Sequence, residues 1–290
     1  MFRNLGISMR LLRKSFGVLW NDKTLLAYPL TATGIIVLVL WLLYLSVNMD
    51  IKMFIFNMSS DIGELTVNWG WYYTLLLAYL ALSCVATFFN AALVGAAHIS
   101  MTERDSIYRD GIAAAFRKLP SLLIWSLLSS TFGLLISILD EFRTTSRLIH
   151  RLMGAVWGLY TFFVLPLIVL DRANVFMAIG RSGKVITETW GEALFNRLGL
   201  LFFLFVLNAP TLLLWVVTYT AWPAYLALVS FLTMACFFAS LAIGQAAKSV
   251  LTVAMYLYAT KGTPPEGWDA DILADALLDR SDASESNVAS

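Results

Sequence analysis

Charge is scarce in this sequence. Only 13% of its 290 residues are Asp, Glu, Lys or Arg, while 59% are hydrophobic. Soluble domains run at about 25% charged and about 45–50% apolar. A chain dispersed in water needs charge, and a chain in lipid cannot bury it cheaply. The composition therefore excludes an ordinary soluble domain and predicts an integral membrane protein. Cysteine and histidine are nearly missing, at two each. Cys84 and Cys236 lie in apolar runs without metal-ligand spacing and read as small packing residues. His98 and His150 fall on opposite sides of the expected membrane and cannot share a metal. There is no Walker-type glycine loop and no nucleophile elbow. No cofactor, metal or nucleic-acid partner is expected. No cleavable signal peptide is expected either, because Arg3, Arg10, Arg13, Lys14 and Lys23 interrupt any apolar core near the start.

What is present is a series of charge-free runs. Leu25–Met49, Leu65–Thr102, Leu119–Leu139 and Leu152–Leu170 contain no Asp, Glu, Lys or Arg, and neither does the fifty-residue run Leu198–Ala247. A spanning helix needs about 20 apolar residues, so the last run suits two spans folded at Tyr219–Pro223. An all-α polytopic bundle of six transmembrane helices follows, at about 28–48, 71–97, 120–139, 152–170, 198–219 and 224–247. These make one domain over 1–260. Residues 261–290 form a tail with seven acids against two bases.

Lys and Arg set the orientation. Sixteen fall on the side that holds both termini and four on the other. Both termini are therefore expected in the cytoplasm, in a cell (inner) membrane protein. Trp69, Trp71 and Trp222 then fall at outer interfaces, and Trp20 and Trp190 at inner ones.

Each pair of spans follows a basic amphipathic stretch. In the first, Met9, Leu12, Phe16, Leu19 and Trp20 oppose Arg10, Arg13 and Lys14. In the second, Ile112, Ala115, Phe116 and Leu119 oppose Arg109, Asp110, Arg117 and Lys118. In the third, Val175, Phe176, Ile179, Ile186 and Trp190 accompany Arg181, Lys184 and Glu188. Such helices lie in the interface with basic groups toward anionic lipid, so these bases are candidate head-group contacts. The even-numbered spans also carry Phe88-Phe89, Phe162-Phe163 and Phe237-Phe238, 74 and 75 residues apart. Three parallel two-span repeats are one reading of that spacing. The off-register pair Phe202-Phe203 counts against it.

Helices in lipid associate through small and weakly polar residues. Ser83, Thr87 and Asn90 share a stripe, as do Ser126, Ser130, Gly133 and Ser137, and so do Ser230, Thr233, Ser240 and Gly244. The plain reading is a packed interior; the sharper one is a slender polar path. Only Asn90 and Asn208 are strongly polar at depth, and each needs a partner. Pro210 follows Asn208, and Pro166 lies near the inner end of the fourth span. Both are expected to interrupt the helical ladder, either as plain kinks or as broken-helix sites. Asp140, Glu141 and His150 would be needed for any membrane chemistry; they read instead as a solvated outer loop. After Pro264-Pro265 a turn is expected, then a short helix over Ile272–Leu277.

Several segments together resemble an uncharacterised prokaryotic integral membrane family of unknown function. They include Ser15 to Lys23, Leu25–Leu30, Phe89–Val94, Gly154–Trp157, Phe163–Pro166, Thr189–Glu192 and Tyr256–Thr260 with Gly262 and Pro264-Pro265. Phe16 departs from the Trp expected there. The resemblance implies a six-helix inner-membrane protein and no particular activity. The stretch Ala178–Ser182 is also similar to the membrane region attached to some glycerophosphodiester phosphodiesterases, whose catalytic domain has no counterpart in this sequence. The expected function is a non-enzymatic membrane protein that organises lipids, another membrane protein or a second copy of itself. The alternatives are a transporter or lipid translocator using Pro-broken helices and, more remotely, a membrane enzyme.

Overall fold

A computed structural model describes residues 2–58, 69–103, 106–141, 153–186 apart from 155 and 159, 198–221, 225–265 and 268. Among the described residues the structure is helical, with no strand. The elements are α1 (Phe2–Asn21), α2 (Thr24–Met58), α3 (Trp69–Thr102), α4 (Tyr108–Phe116) and α5 (Leu119–Glu141), followed by α6 (Val164–Val169), α7 (Val175–Val185), α8 (Leu198–Ala221) and α9 (Leu226–Lys261). Among the described residues, four helices are long and apolar enough to cross a membrane: Thr24–Leu45, Tyr73–Thr102, Leu119–Ile138 and Ala227–Lys261. They overlap the first, second, third and sixth expected spans. The fifth expected span coincides with α8, a 24-residue apolar helix.

The fourth expected span is not one helix. Helical residues at 156–158 and 160 lead into a turn at Thr161–Phe163, and α6 starts afresh at Val164. The Val164 N–H reaches back three residues to the Thr161 carbonyl, at 3.2 Å, instead of four. Pro166 supplies the cause: its ring has no N–H for the Phe162 carbonyl and displaces it. Pro210 behaves otherwise, since α8 runs on through it. Beyond α6, Arg172 takes a left-handed φ of 55° and the Ala173 N–H closes on the Leu167 carbonyl at 3.1 Å, which turns the chain into α7.

α3 is the hub, packing on α2, α4, α5, α6 and α9. Its two ends differ. Ala91–Ala97 are buried at every position, whereas Tyr73–Leu77 are exposed at every position. The same gradient runs along the neighbours. Leu25, Tyr28, Leu122, Trp125 and the stretch Thr252–Leu257 are buried, while Leu38, Leu40, Trp41, Leu135, Ile138, Leu228 and Phe231 are exposed. One end of the bundle is tightly packed and the other is open.

Small side chains make the packed end possible. A Cβ on Gly95 would lie 2.7 Å from that of Ala114, and a Cβ on Gly111 would overlap the Ala92 carbonyl and the Tyr28 hydroxyl. α4 therefore beds directly on α3. Polar groups lock the same corner. The Asp22 carboxylate accepts hydrogen bonds from the Thr24 N–H (3.1 Å), the Ser106 N–H (3.0 Å) and the Ser106 hydroxyl (2.6 Å). Tyr28 stacks on Tyr108 at 4.9 Å and donates to its carbonyl at 3.1 Å. Burial pushes the Asp22 carboxyl up, but the hydrogen bonds from Ser106, Ser100 and Thr24 together bring it below the ordinary aspartate value of 3.8.

The start of the tail is folded back. Gly262, at φ 69°, closes α9 with its N–H on the Tyr258 carbonyl at 2.9 Å. Beyond it the Trp268 N–H donates to the Pro265 carbonyl at 3.1 Å, and the Trp268 ring is buried in the core cluster. The short helix expected over Ile272–Leu277 lies outside the described residues.

Candidate functional site: a polar pocket beside the interrupted helix

The break before Pro166 leaves space. Where a continuous helix would fill the gap between α3, α5 and α9, the turn opens a pocket of about 230 Å³. Gly158, Phe162, Leu165 and Pro166 form one wall, Val94 and Trp125 the next, and a stripe of α9 the third. That stripe is Gln245, Lys248, Ser249 and Thr252, three or four residues apart and so on one helix face. Asn90 on α3 and Thr161 in the turn complete the polar lining.

The hydrogen bonds within the lining are directional. Ser249 donates its hydroxyl to Asn90 Oδ1 at 2.7 Å, which gives Asn90 its interhelical partner. Thr161 donates to the Trp157 carbonyl and Thr252 to the Lys248 carbonyl, both at 2.8 Å. The hydroxyls are thus turned toward the protein's own acceptors.

Of the positions singled out in the sequence, the pocket unites Asn90 and Pro166 but not Asn208 and Pro210. Asn208 is 7% exposed and donates from Nδ2 to the Ser240 hydroxyl at 2.8 Å, tying α8 to α9. Pro210 is exposed. The α3 and α5 stripes pack together: Tyr79 donates to the Ser130 carbonyl at 3.2 Å, and Cys84 Sγ lies 3.0 Å from the Ser126 hydroxyl. Gln245 and Lys248 were not among the candidate site residues read from the sequence. Their spacing with Ser249 and Thr252 is the signal that could have grouped them.

The basic candidates lie elsewhere. Arg10 and Arg13 are exposed on α1 and Lys14 is half-buried; Arg117 and Lys118 follow α4; Arg181 and Lys184 are exposed on α7. The apolar faces expected there need correction. On α1 the buried stripe is Leu11, Ser15 and Leu19, four residues apart and packed toward the bundle's own core, while Trp20 is 79% exposed. The side chains of Met9 and Leu12 lie outside the described residues. On α7, Val175, Ala178 and Ser182 face inward and Phe176 is 73% exposed. On the α4 side Ala115 is buried and Phe116 exposed. Trp190, Glu188 and His150 lie outside the described residues. No group of three metal-ligating side chains occurs among the described residues.

The profile of a family described as a family of unknown function, DUF6159, matches residues 70–265, from the start of α3 past the end of α9. The match covers more than half of the chain, so the chain belongs to that family. No curated protein and no solved structure matches it.

Proposed function

We propose that this member of the DUF6159 family is a six-span, non-enzymatic protein of the inner (cell) membrane, with both termini in the cytoplasm, that organises anionic lipids or neighbouring membrane proteins. The interrupted fourth span and α8 supply the two crossings beyond the four long apolar helices. The sixteen-to-four bias of Lys and Arg supports placing the packed end of the bundle at the cytoplasm.

One observation carries the organising role. Close in sequence to each basic group an aromatic ring stands exposed: Trp20 after Arg10, Arg13 and Lys14, Phe116 before Arg117 and Lys118, Phe176 before Arg181 and Lys184. A ring suited to the interface beside a cation suited to lipid phosphate is how a surface helix engages an anionic leaflet. The test is to reverse Arg10, Arg13 and Lys14 to Glu together and measure co-purifying lipids and proteins. A clear loss of anionic lipid or of a protein partner is expected. An unchanged profile removes the interfacial part of the reading.

The pocket favours a second reading, a lipid translocator using the break before Pro166. Flipping of a fluorescent phospholipid in reconstituted vesicles checks it. No acceleration over protein-free vesicles rejects it.

A further inference from the structure

We propose that the pocket between α3, α6 and α9 binds an uncharged, hydroxyl-bearing group of glycerol size. This goes beyond the organising role, because none of the basic groups named on α1, α4 and α7 lines the pocket. Three groups in the lining keep hydrogen-bonding capacity. Ser249 occupies Oδ1 of Asn90, so the Asn90 Nδ2 hydrogens remain to donate. Gln245 has no hydrogen-bond partner among the described residues, and its amide both donates and accepts. The Phe162 carbonyl meets no N–H at Pro166 and remains to accept. Asn90 and Gln245 are half-buried. Polar groups held in this way cost free energy unless a guest or water meets them.

A guest that matches them must donate and accept at once, as a hydroxyl does. Charge is disfavoured. No carboxylate is in the lining, and Lys248 already has an interaction of its own, so an ionic guest would bury its charge without a free counter-charge. Val94, Trp125 and Leu165 supply apolar wall for the C–H faces of a polyol. At about 230 Å³ the pocket is below the range of about 300–1,000 Å³ typical of drug-sized ligands. It takes a three-carbon polyol and leaves acyl chains outside. Gln245 lies near the end of the charge-free run Leu198–Ala247, close to the depth at which the glycerol of a lipid sits. The hydroxyl therefore comes from the free glycerol position of an uncharged lipid, such as a diacylglycerol, or from a free polyol.

Two measurements on the full chain in mild detergent separate these sources. Native mass spectrometry is run with dioleoylglycerol and phosphatidylcholine in equal amounts, and tritiated glycerol binding is followed by scintillation proximity. An excess of retained dioleoylglycerol that falls about tenfold in Gln245→Met assigns the lipid source. Saturable glycerol binding that weakens about tenfold in the same variant, without a lipid preference, assigns the free polyol. No excess of dioleoylglycerol together with no saturable glycerol binding overturns the site and leaves it to water. Any response that Gln245→Met leaves unchanged overturns it as well. If Gln245→Met fails to fold, Leu165→Phe, which takes volume from a half-buried wall, must lower the same response, and an unchanged response overturns the site.

Discussion

Asp22 shows how one buried carboxylate holds a corner. Its charge is matched by donors from Thr24 and Ser106, so its removal leaves the buried Ser106 groups without their acceptor. Asp22→Ala is expected to cost about 1.5–3 kcal/mol, the range for hydrogen bonds to a charged group. Because the folded-state value lies below 3.8, the contribution is present above that pH and is lost as pH falls through the folded value. The gap in thermal midpoint between wild type and Asp22→Asn should thus be full at neutral pH and shrink in acid. A gap that widened on acidification would show that the carboxylate is not held in its charged form. Gly111 is the opposite case, where hydrogen is the only side chain that fits. Gly111→Val drives carbon into the Ala92 carbonyl and the Tyr28 ring, and overpacking of that kind costs about 1–3 kcal/mol. Detergent-solubilised yield and melting temperature check it; wild-type values would mean that α4 can lift off α3.

Among elements, the α8–α9 pair is tied by Asn208 and Ser240. A double-mutant cycle to Ala at both positions should give a coupling of about 0.6 kcal/mol, the usual size for such bonds between membrane helices. Zero coupling would mean that the amide finds another partner. Among the described residues the Trp268 ring anchors the start of the tail, so Trp268→Ala should expose the segment after α9 to added protease while the bundle stays folded. Equal cleavage of wild type and variant would remove that anchor role. Much of this level was legible in the sequence. The charge-free runs located α2, α3, α5, α8 and α9, because hydropathy reports directly on what lipid or core can hold. An interruption at Pro166 was legible too, from the missing proline N–H, but its place at Thr161–Phe163, before the proline, was not, since Phe, Val and Leu there read as one apolar run. The pocket was not located, because its walls come from runs far apart in the sequence. Nor do the three Phe pairs share a setting, lying in α3, in the turn before α6 and in α9, with Phe163 buried and Phe237 exposed.

At the scale of the molecule, the positions of the termini are the first thing to fix. A reporter fused after Ser290 should read as cytoplasmic, and an external reading reverses the topology. The packed end also bears on how the sequence can drift. Along α3, burial changes with height instead of with helical phase: every position of Ala91–Ala97 is enclosed and every position of Tyr73–Leu77 is open. A saturation library of single substitutions should then lose the usual rhythm of tolerant and intolerant positions around each helix. In its place a slope should run along the bundle axis, with nearly free exchange among apolar residues at one end and almost none at the other. New properties would be acquired from the open end, and the packed end would be inherited nearly intact.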